Sequence, residues 1–425
     1  MTARPTPLAF ALATLFAWAL FLGVLVDRAE LFIAAIPLAI ALLSGRRPGS
    51  LPRFDLSQEV SAERLAEGGR LAASATVMAH DPLPLVEILQ PLPGLLKLHF
   101  GCNRIALSLV AGEEAHWNYE LLCPARGRFT LGALRLRLWD RSGLWNAETQ
   151  RTDVKQVSVY PFIAPLRHVP RPMRTQSSFG NYVAPRVGEG LEPGEIRPFV
   201  PGDRVRRVNW RASLRRGQIY VTQFHEERNA DIVLLLDTLS ETGERPFSTL
   251  DFSVRAGAAL AGAYLARKDR VGFIEYGGYL RWLKPATGRR QRVSLVEALL
   301  PASVYFSYAV KQLDFLPAQV LPPQALVIEL SPLLDRRFID TSVNLVARGF
   351  DLVIIAVSPI EPARRVLQGS RLDELALRLW AIEWQLSVEA LRRRGLAVVE
   401  WRPEVPLDAV LAPFARFRPR PAARR

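Results

Sequence analysis

A chain of 425 residues, 49% hydrophobic and 23% charged, is too long for one ordinary core and too apolar to be disordered, so two or three folded units are expected. Lys and Arg outnumber Asp and Glu by 55 to 41, a surplus of 14 that favours anionic partners such as lipid headgroups or nucleic acid without choosing between them. Cys102 and Cys123 stand far apart and outside any CxxC or Cys/His cluster, which indicates neither a disulfide framework nor a zinc site and fits a reduced compartment.

From Leu8 to Val26 the sequence carries no charge, and at about 1.5 Å per residue this stretch approaches one hydrocarbon thickness. After the turn Asp27-Arg28-Ala29-Glu30, a shorter apolar segment runs from Leu31 to Ser44 and contains Pro37. Residues 1–45 are therefore read as a transmembrane hairpin with spans at about 8–26 and 28–45. Arg46, Arg47 and Arg53 follow the second segment, against Arg4 before the first and Arg28 between them, so the positive-inside rule places both ends in the cytoplasm. The expectation is a multi-pass protein of the plasma membrane with a cytoplasmic body. A cleaved signal peptide is the competing reading; the first apolar stretch is long for an h-region, and no clear A-x-A site follows it.

Residues 55–165 alternate in short runs, as in Leu134, Leu136 and Leu138 against Arg135 and Arg137, with turn signals at Asp81-Pro82, Pro93-Gly94, Ala111-Gly112 and Ser142-Gly143. That pattern predicts an antiparallel β-sandwich of about seven strands. Residues 166–230 read as a connector, polar and Pro-rich at first. From Asp231 the pattern changes to fully apolar runs, IVLLLD, VGFIEYG, ALVIELS, DLVIIAVS and LAVVEW, separated by helical segments. Residues 231–412 are thus expected to form a doubly wound α/β domain with Asp237 at the carboxyl edge of its sheet. Leu372, Leu375, Leu379, Ile382 and Leu386 recur at intervals of three and four and are read as the face that packs a helix onto that sheet, with a surface for a partner helix as the alternative. Residues 413–425, five of them arginines, form a basic tail too polar to order itself.

The segment from Glu192 to Glu227 crowds acids, arginines, a Pro201-Gly202-Asp203 turn and Trp210 into one stretch, in which GQIYVTQF reads as a strand running toward the first buried strand. Glu195, Arg197, Phe199, Pro201, Gly202, Asp203, Val208, Trp210, Ser213 and Arg215 occupy the positions of a signature E-x-R-x-Y-x-P-G-D-x-x-R-x-I-x-W-x-x-S-A-R, with the Arg206-Arg207 pair at its middle arginine and Leu214 in place of the usual alanine. In this the chain resembles the bacterial domain of unknown function 58 family. The stretch from Arg126 to Trp145, and DRVGFIEYGG with GRRQ downstream, extend the likeness over nearly the whole chain. The resemblance implies a membrane hairpin, a β-domain and a von Willebrand A-like domain, and partnership with a MoxR-class AAA+ ATPase.

Glu195, Arg197, Gly202, Asp203, Arg207, Trp210, Ser213 and Arg215 are the candidate protein-binding or interdomain residues, either docking an acidic partner or fixing one domain against another through paired charges. A von Willebrand A-like metal site wants Asp-x-Ser-x-Ser. Here Leu239 and Glu241 replace the two serines after Asp237, and Pro332 follows Ser331, so no metal and no cofactor are expected. Ser240 or Asp335 would substitute only through a changed loop path. No P-loop, GxSxG, HExxH or dinucleotide fingerprint is present, and His225 beside Glu226 and Glu227 reads as a solvated strand end, so no catalytic residue is assigned. The expected function is that of a membrane-anchored, non-enzymatic adaptor working with the ATPase in assembly or maturation of protein complexes. The alternative is binding of nucleic acid or another anionic surface through Arg204, Arg206, Arg207, Arg215, Arg216 and the tail.

Overall fold

The structure, a computed structural model, describes residues 4–45, 52–151, 154–170, 176–188, 192–201, 203, 205, 208–305, 319–323 and 325–416. The chain divides into two compact units, Met1–Tyr160 and Pro161–Arg425.

The first unit opens with β1 (Arg4–Pro5), α1 (Pro7–Val26) and α2 (Ala29–Ser44). Thr6 caps α1: its hydroxyl accepts from the Ala9 N–H at 3.3 Å, and Pro7 begins the helix where no backbone N–H is needed. With 20 residues, α1 is about 30 Å long, enough to cross a hydrocarbon core, whereas α2 with 16 reaches only about 24 Å. The two helices pack together, and a Cβ placed on Gly23 would stand 3.0 Å from the Phe32 ring.

Eleven further strands complete the unit: β2 (Phe54–Val60), β3 (Arg64–Ala66), β4 (Gly69–Ala79), β5 (Leu83–Leu89), β6 (Lys97–Gly101), β7 (Arg104–Leu109), β8 (Glu114–Cys123), β9 (Gly127–Leu131), β10 (Leu134–Trp139), β11 (Trp145–Arg151) and β12 (Lys155–Tyr160). They form sheets in the orders β1-β11-β10-β5-β7, β2-β4-β8-β6 and β3-β12-β9. All pairs are antiparallel except β3 with β12. Alternation supplies the core: Leu134, Leu136 and Leu138 of one sheet and Leu71, Ala73, Ala75, Trp117, Tyr119 and Leu121 of another point into one shared cluster.

Both ends of the helical hairpin rest on one turn of this unit. β1 pairs with β11, placing Pro5 opposite Trp145. Thr6, 1% exposed, donates its hydroxyl to Gly143 O at 2.8 Å and its N–H to Leu144 O at 2.9 Å. After α2, Gly45 lies so close that a Cβ there would stand 2.8 Å from Leu144 Cδ1. The chain therefore leaves and returns at the Ser142–Leu144 turn.

The second unit contains β13 (Gln176–Gly188), β14 (Glu192–Pro198), α3 (Trp210–Arg216) and β15 (Tyr220–Asn229), where the sequence reads as a connector. These three strands form a sheet in the order β13-β15-β14. Then follow β16 (Asp231–Thr238), α4 (Thr249–Ala266), β17 (Arg270–Gly277), β18 (Leu280–Ala286), α5 (Gly288–Leu299), β19 (Leu326–Ser331), α6 (Arg336–Ala347), β20 (Asp351–Val357), α7 (Ile360–Arg364), α8 (Arg371–Arg393), β21 (Ala397–Trp401) and α9 (Leu407–Leu411). The sheet order is β18-β17-β16-β19-β20-β21, parallel throughout except for β18 at its edge. All eight residues of β16 are buried, because helices cover both faces. Leu234 and Ile328 face a core with Val254 of α4 and Leu295 of α5; Leu235 and Ile354 face another with Phe338 of α6 and Trp384 of α8.

Helix α8 begins with a capping box in which Ser370 Oγ accepts from Asp373 N–H and the Asp373 carboxylate accepts from Ser370 N–H. Its orientation departs from the sequence expectation. The face turned to the sheet carries Leu377, Trp384, Val388 and Leu391, each at most 5% exposed. Leu372, Leu375, Leu379, Ile382 and Leu386 lie on the other side, 55–78% exposed. The helix has two apolar faces, and the bulkier indole of Trp384 occupies the core.

Candidate functional site

In the signature, the turn after β14 is closed by its own charges. Arg197 donates from Nη1 to Asp203 Oδ2 at 2.7 Å and from Nη2 to Oδ1 at 2.6 Å, the two-pronged geometry that suits guanidinium and carboxylate. Asp203 Oδ2 also accepts from the Val200 N–H at 2.8 Å, while the Asp203 N–H donates to Val200 O at 3.0 Å. The carboxylate raises the Arg197 pKa above its ordinary value.

Asn209 then starts α3: its side-chain oxygen accepts from the Ala212 N–H at 3.0 Å, and its Nδ2 donates to Thr222 Oγ1 at 3.1 Å. Ser213, buried beneath the helix, donates to Asn209 O at 2.8 Å and accepts from the Tyr220 N–H at 2.9 Å. Gly217, at φ +67°, ends the helix in the left-handed region that favours glycine. Arg197 and Asp203 are thus brought together to brace the turn after β14, and Ser213 separately ties α3 to the start of β15.

Trp210 and Leu214 point the other way, 63% and 84% exposed. Ile196, Val200, Val205 and Ile219 are exposed as well, so the signature presents apolar side chains outward while Arg197, Asp203, Asn209 and Ser213 are engaged in local hydrogen bonds. Arg215 is exposed, and the Arg216 guanidinium lies 5.0 Å from the Tyr220 ring centroid. Gly202, Arg204, Arg206 and Arg207 lie outside the described residues, as do the side chains of Glu195, His225, Glu226 and Glu227 and the tail from residue 417 onward.

At the carboxyl edge of the six-stranded sheet, Asp237 is 1% exposed and accepts from Ser331 Oγ at 2.5 Å and from the Leu239 N–H at 2.9 Å. Burial outweighs those two bonds and pushes its pKa up to about 7. Asp335 caps α6 and pairs with Arg337, with Nη2 to Oδ2 at 2.6 Å, which lowers the Asp335 pKa. Trp384 Nε1 donates to Pro332 O at 2.8 Å and holds the loop in which Leu333 takes φ +57°.

Sequence reasoning missed Glu329. It sits in the middle of β19, fully buried, accepting from Ser342 Oγ at 2.6 Å, while its other oxygen has no hydrogen-bond partner among the described residues. Burial, opposed by the Ser342 bond and reinforced by the nearby Asp237 charge, pushes its pKa up to about 8, so the carboxyl is protonated at neutral pH. The signal was an acid inside the otherwise apolar run ALVIELS. Asp237, Ser331, Glu329 and Ser342 together form a polar seam beneath α6.

Residues 195–369 match the family described as "Protein of unknown function DUF58". Uncharacterized protein YeaD of Bacillus subtilis (strain 168) is 24% identical over 277 residues, covering 62% of this chain and 69% of that protein. Uncharacterized protein Rv1480 of Mycobacterium tuberculosis (strain ATCC 25618 / H37Rv) is 28% identical over 123 residues, 28% of this chain and 39% of that protein. Among solved structures, the FixG-related protein from Vibrio parahaemolyticus covers 25% of this chain and 95% of its own at 14% identity and a TM-score of 0.17, too slight a likeness to inform fold or function. The match to the DUF58 family model begins in the signature at Glu195 and runs through the sheet to Gly369, and the similarity to YeaD stands beside it.

Proposed function

We propose that this chain is a membrane-anchored, non-enzymatic adaptor, and that it works with a MoxR-class AAA+ ATPase in assembling or maturing protein complexes. The observation that carries the docking reading is the division of labour in the signature: Arg197, Asp203, Asn209 and Ser213 are spent on local structure, while Trp210 and Leu214 face outward. An exposed indole on an element that also exposes aliphatic side chains has the composition of a protein-binding hot spot. The ATPase itself is the partner that the family resemblance implies. The first unit is read as a β-sandwich and the second as von Willebrand A-like, in keeping with the sheet orders above.

The anchor is read as a two-span hairpin with the body in the cytoplasm. Support comes from the length of α1 and from the turn at Ser142–Leu144, which meets both Thr6 and Gly45 and so has α2 returning to the side that α1 left. Cleavage behind α1 would strip β1 and the buried Thr6 from that turn. The shortness of α2 is accommodated by local thinning of the bilayer or by snorkelling of Arg28.

Purification of the tagged full-length chain from native membranes under nucleotide-trapping conditions tests the adaptor reading. A MoxR-class ATPase is expected to co-purify with the wild type and to be lost with Trp210→Ala. Its absence from the wild-type complex would count against the partnership.

A further inference from the structure

The outward face of α8 is an unpaired coiled-coil seam. Leu372, Leu375, Leu379, Ile382 and Leu386 follow one another at intervals of three, four, three and four, the heptad spacing that keeps one stripe facing a partner helix over about four helical turns. All five are more than half exposed, and the flanking Ala376, Arg378, Glu383 and Gln385 are exposed too, so no described residue covers the stripe. The opposite face, with Leu377, Trp384, Val388 and Leu391, is already packed on the sheet and holds the helix rigid. An exposed apolar row on a well-anchored helix marks an interaction surface, not a loosely folded one.

We propose that α8 pairs in parallel with α8 of a second copy of this chain. The charges choose the occupant and the direction. With Leu372, Leu379 and Leu386 at the first heptad position and Leu375 and Ile382 at the fourth, Arg378 precedes and Glu383 follows the central layers. A parallel pair sets each Arg378 against Glu383 of the second copy, five residues on, twice by symmetry, and no like charges meet. An antiparallel pair sets preceding positions against each other, so Arg378 meets Gln385 or another Arg378, and Glu383 meets Ala376 or another Glu383. Within its own helix Arg378 has only a loose approach to Glu374, Nε to Oε1 3.6 Å, and is free to turn outward. The seam ends where Glu389 takes the next apolar position, which limits the contact to this segment.

The test uses the full-length chain in membranes, in a Cys102→Ser background that leaves only the buried Cys123. Leu372→Cys and Leu386→Cys are made singly and oxidised with copper phenanthroline. In a parallel pair each engineered thiol faces its own counterpart at a separation that a disulfide spans, so each variant alone is expected to give a covalent dimer, whereas Val293→Cys on exposed α5 is not. Arg378→Glu is expected to reduce the cross-linked fraction several-fold, and adding Glu383→Arg to restore it. Cross-linking only when both cysteines are present in one chain, residue 372 to residue 386, would mean an antiparallel pair and overturn the proposal. So would a monomer without cross-links in every variant, or shielding of these cysteines from an aqueous thiol reagent by vesicle lipid, which would assign the face to the bilayer surface.

Discussion

Raising the pH from about 5 to about 9 is expected to loosen the α/β unit, and Glu329→Gln is expected to remove a large part of that loss. Glu329 and Asp237 are fully buried, with pKa values pushed up to about 8 and about 7, so between the ordinary carboxylate range and those values the folded chain holds protons that the unfolded chain has released. Stability is therefore greatest below the unfolded pKa and falls as pH rises through the folded one. Each displaced unit is worth about 1.4 kcal/mol, so the decline amounts to a few kcal/mol even after the two acids share it. The glutamine keeps the shape, accepts from Ser342 and cannot ionise. Hydrogen exchange in β19 and α6, corrected for the intrinsic rate at each pH, reads the opening free energy directly. A slope as steep in Glu329→Gln as in the wild type would show that another group titrates there.

The second large effect is expected at Trp384. Its indole fills the core between α8 and the sheet, 5% exposed, and its Nε1–H bond to Pro332 O fixes the loop after β19. Truncation to alanine leaves a cavity and an unpaired carbonyl, and Trp384→Ala is expected to cost about 3–5 kcal/mol. Leu379→Ala, on the exposed face of the same helix, is expected to change the stability of the isolated protomer by less than about 0.5 kcal/mol. Thermal unfolding of the two variants at low protein concentration separates the faces. Equal losses would mean that α8 packs through the heptad stripe after all.

That contrast also marks how far the sequence could be read. The buried strands at 231–238, 326–331, 351–357 and 397–401 were legible because parallel strands covered on both faces leave unbroken apolar runs. Helix α8 was legible as a helix, but periodicity cannot rank two apolar stripes, and the more regular one is the one left exposed. The stretch before Asp231 looked like a connector because Pro, Ser and Arg obscure strand periodicity; GQIYVTQF within it was legible as a strand and overlaps β15, whereas β13 and β14 were not legible. Within the signature, the pairing of Arg197 with Asp203 depends on the turn between them, a geometry that spacing alone does not specify. Glu329 passed unnoticed as one polar letter in an apolar strand, although a lone acid there already calls for a perturbed proton.

The anchored, cytoplasmic body is the claim on which the adaptor reading depends, and the chain carries its own reporter for it. Cys102 is exposed on the β unit, while Cys123 is buried, with burial raising its thiol pKa, and so serves as an internal control. Intact cells are treated with a membrane-impermeant maleimide before and after lysis. The expected result is protection of Cys102 until the membrane is opened, then rapid labelling, with Cys123 silent until denaturation. Labelling of Cys102 in intact cells would place the body outside the cytoplasm, beyond the reach of a cytosolic ATPase, and contradict the account.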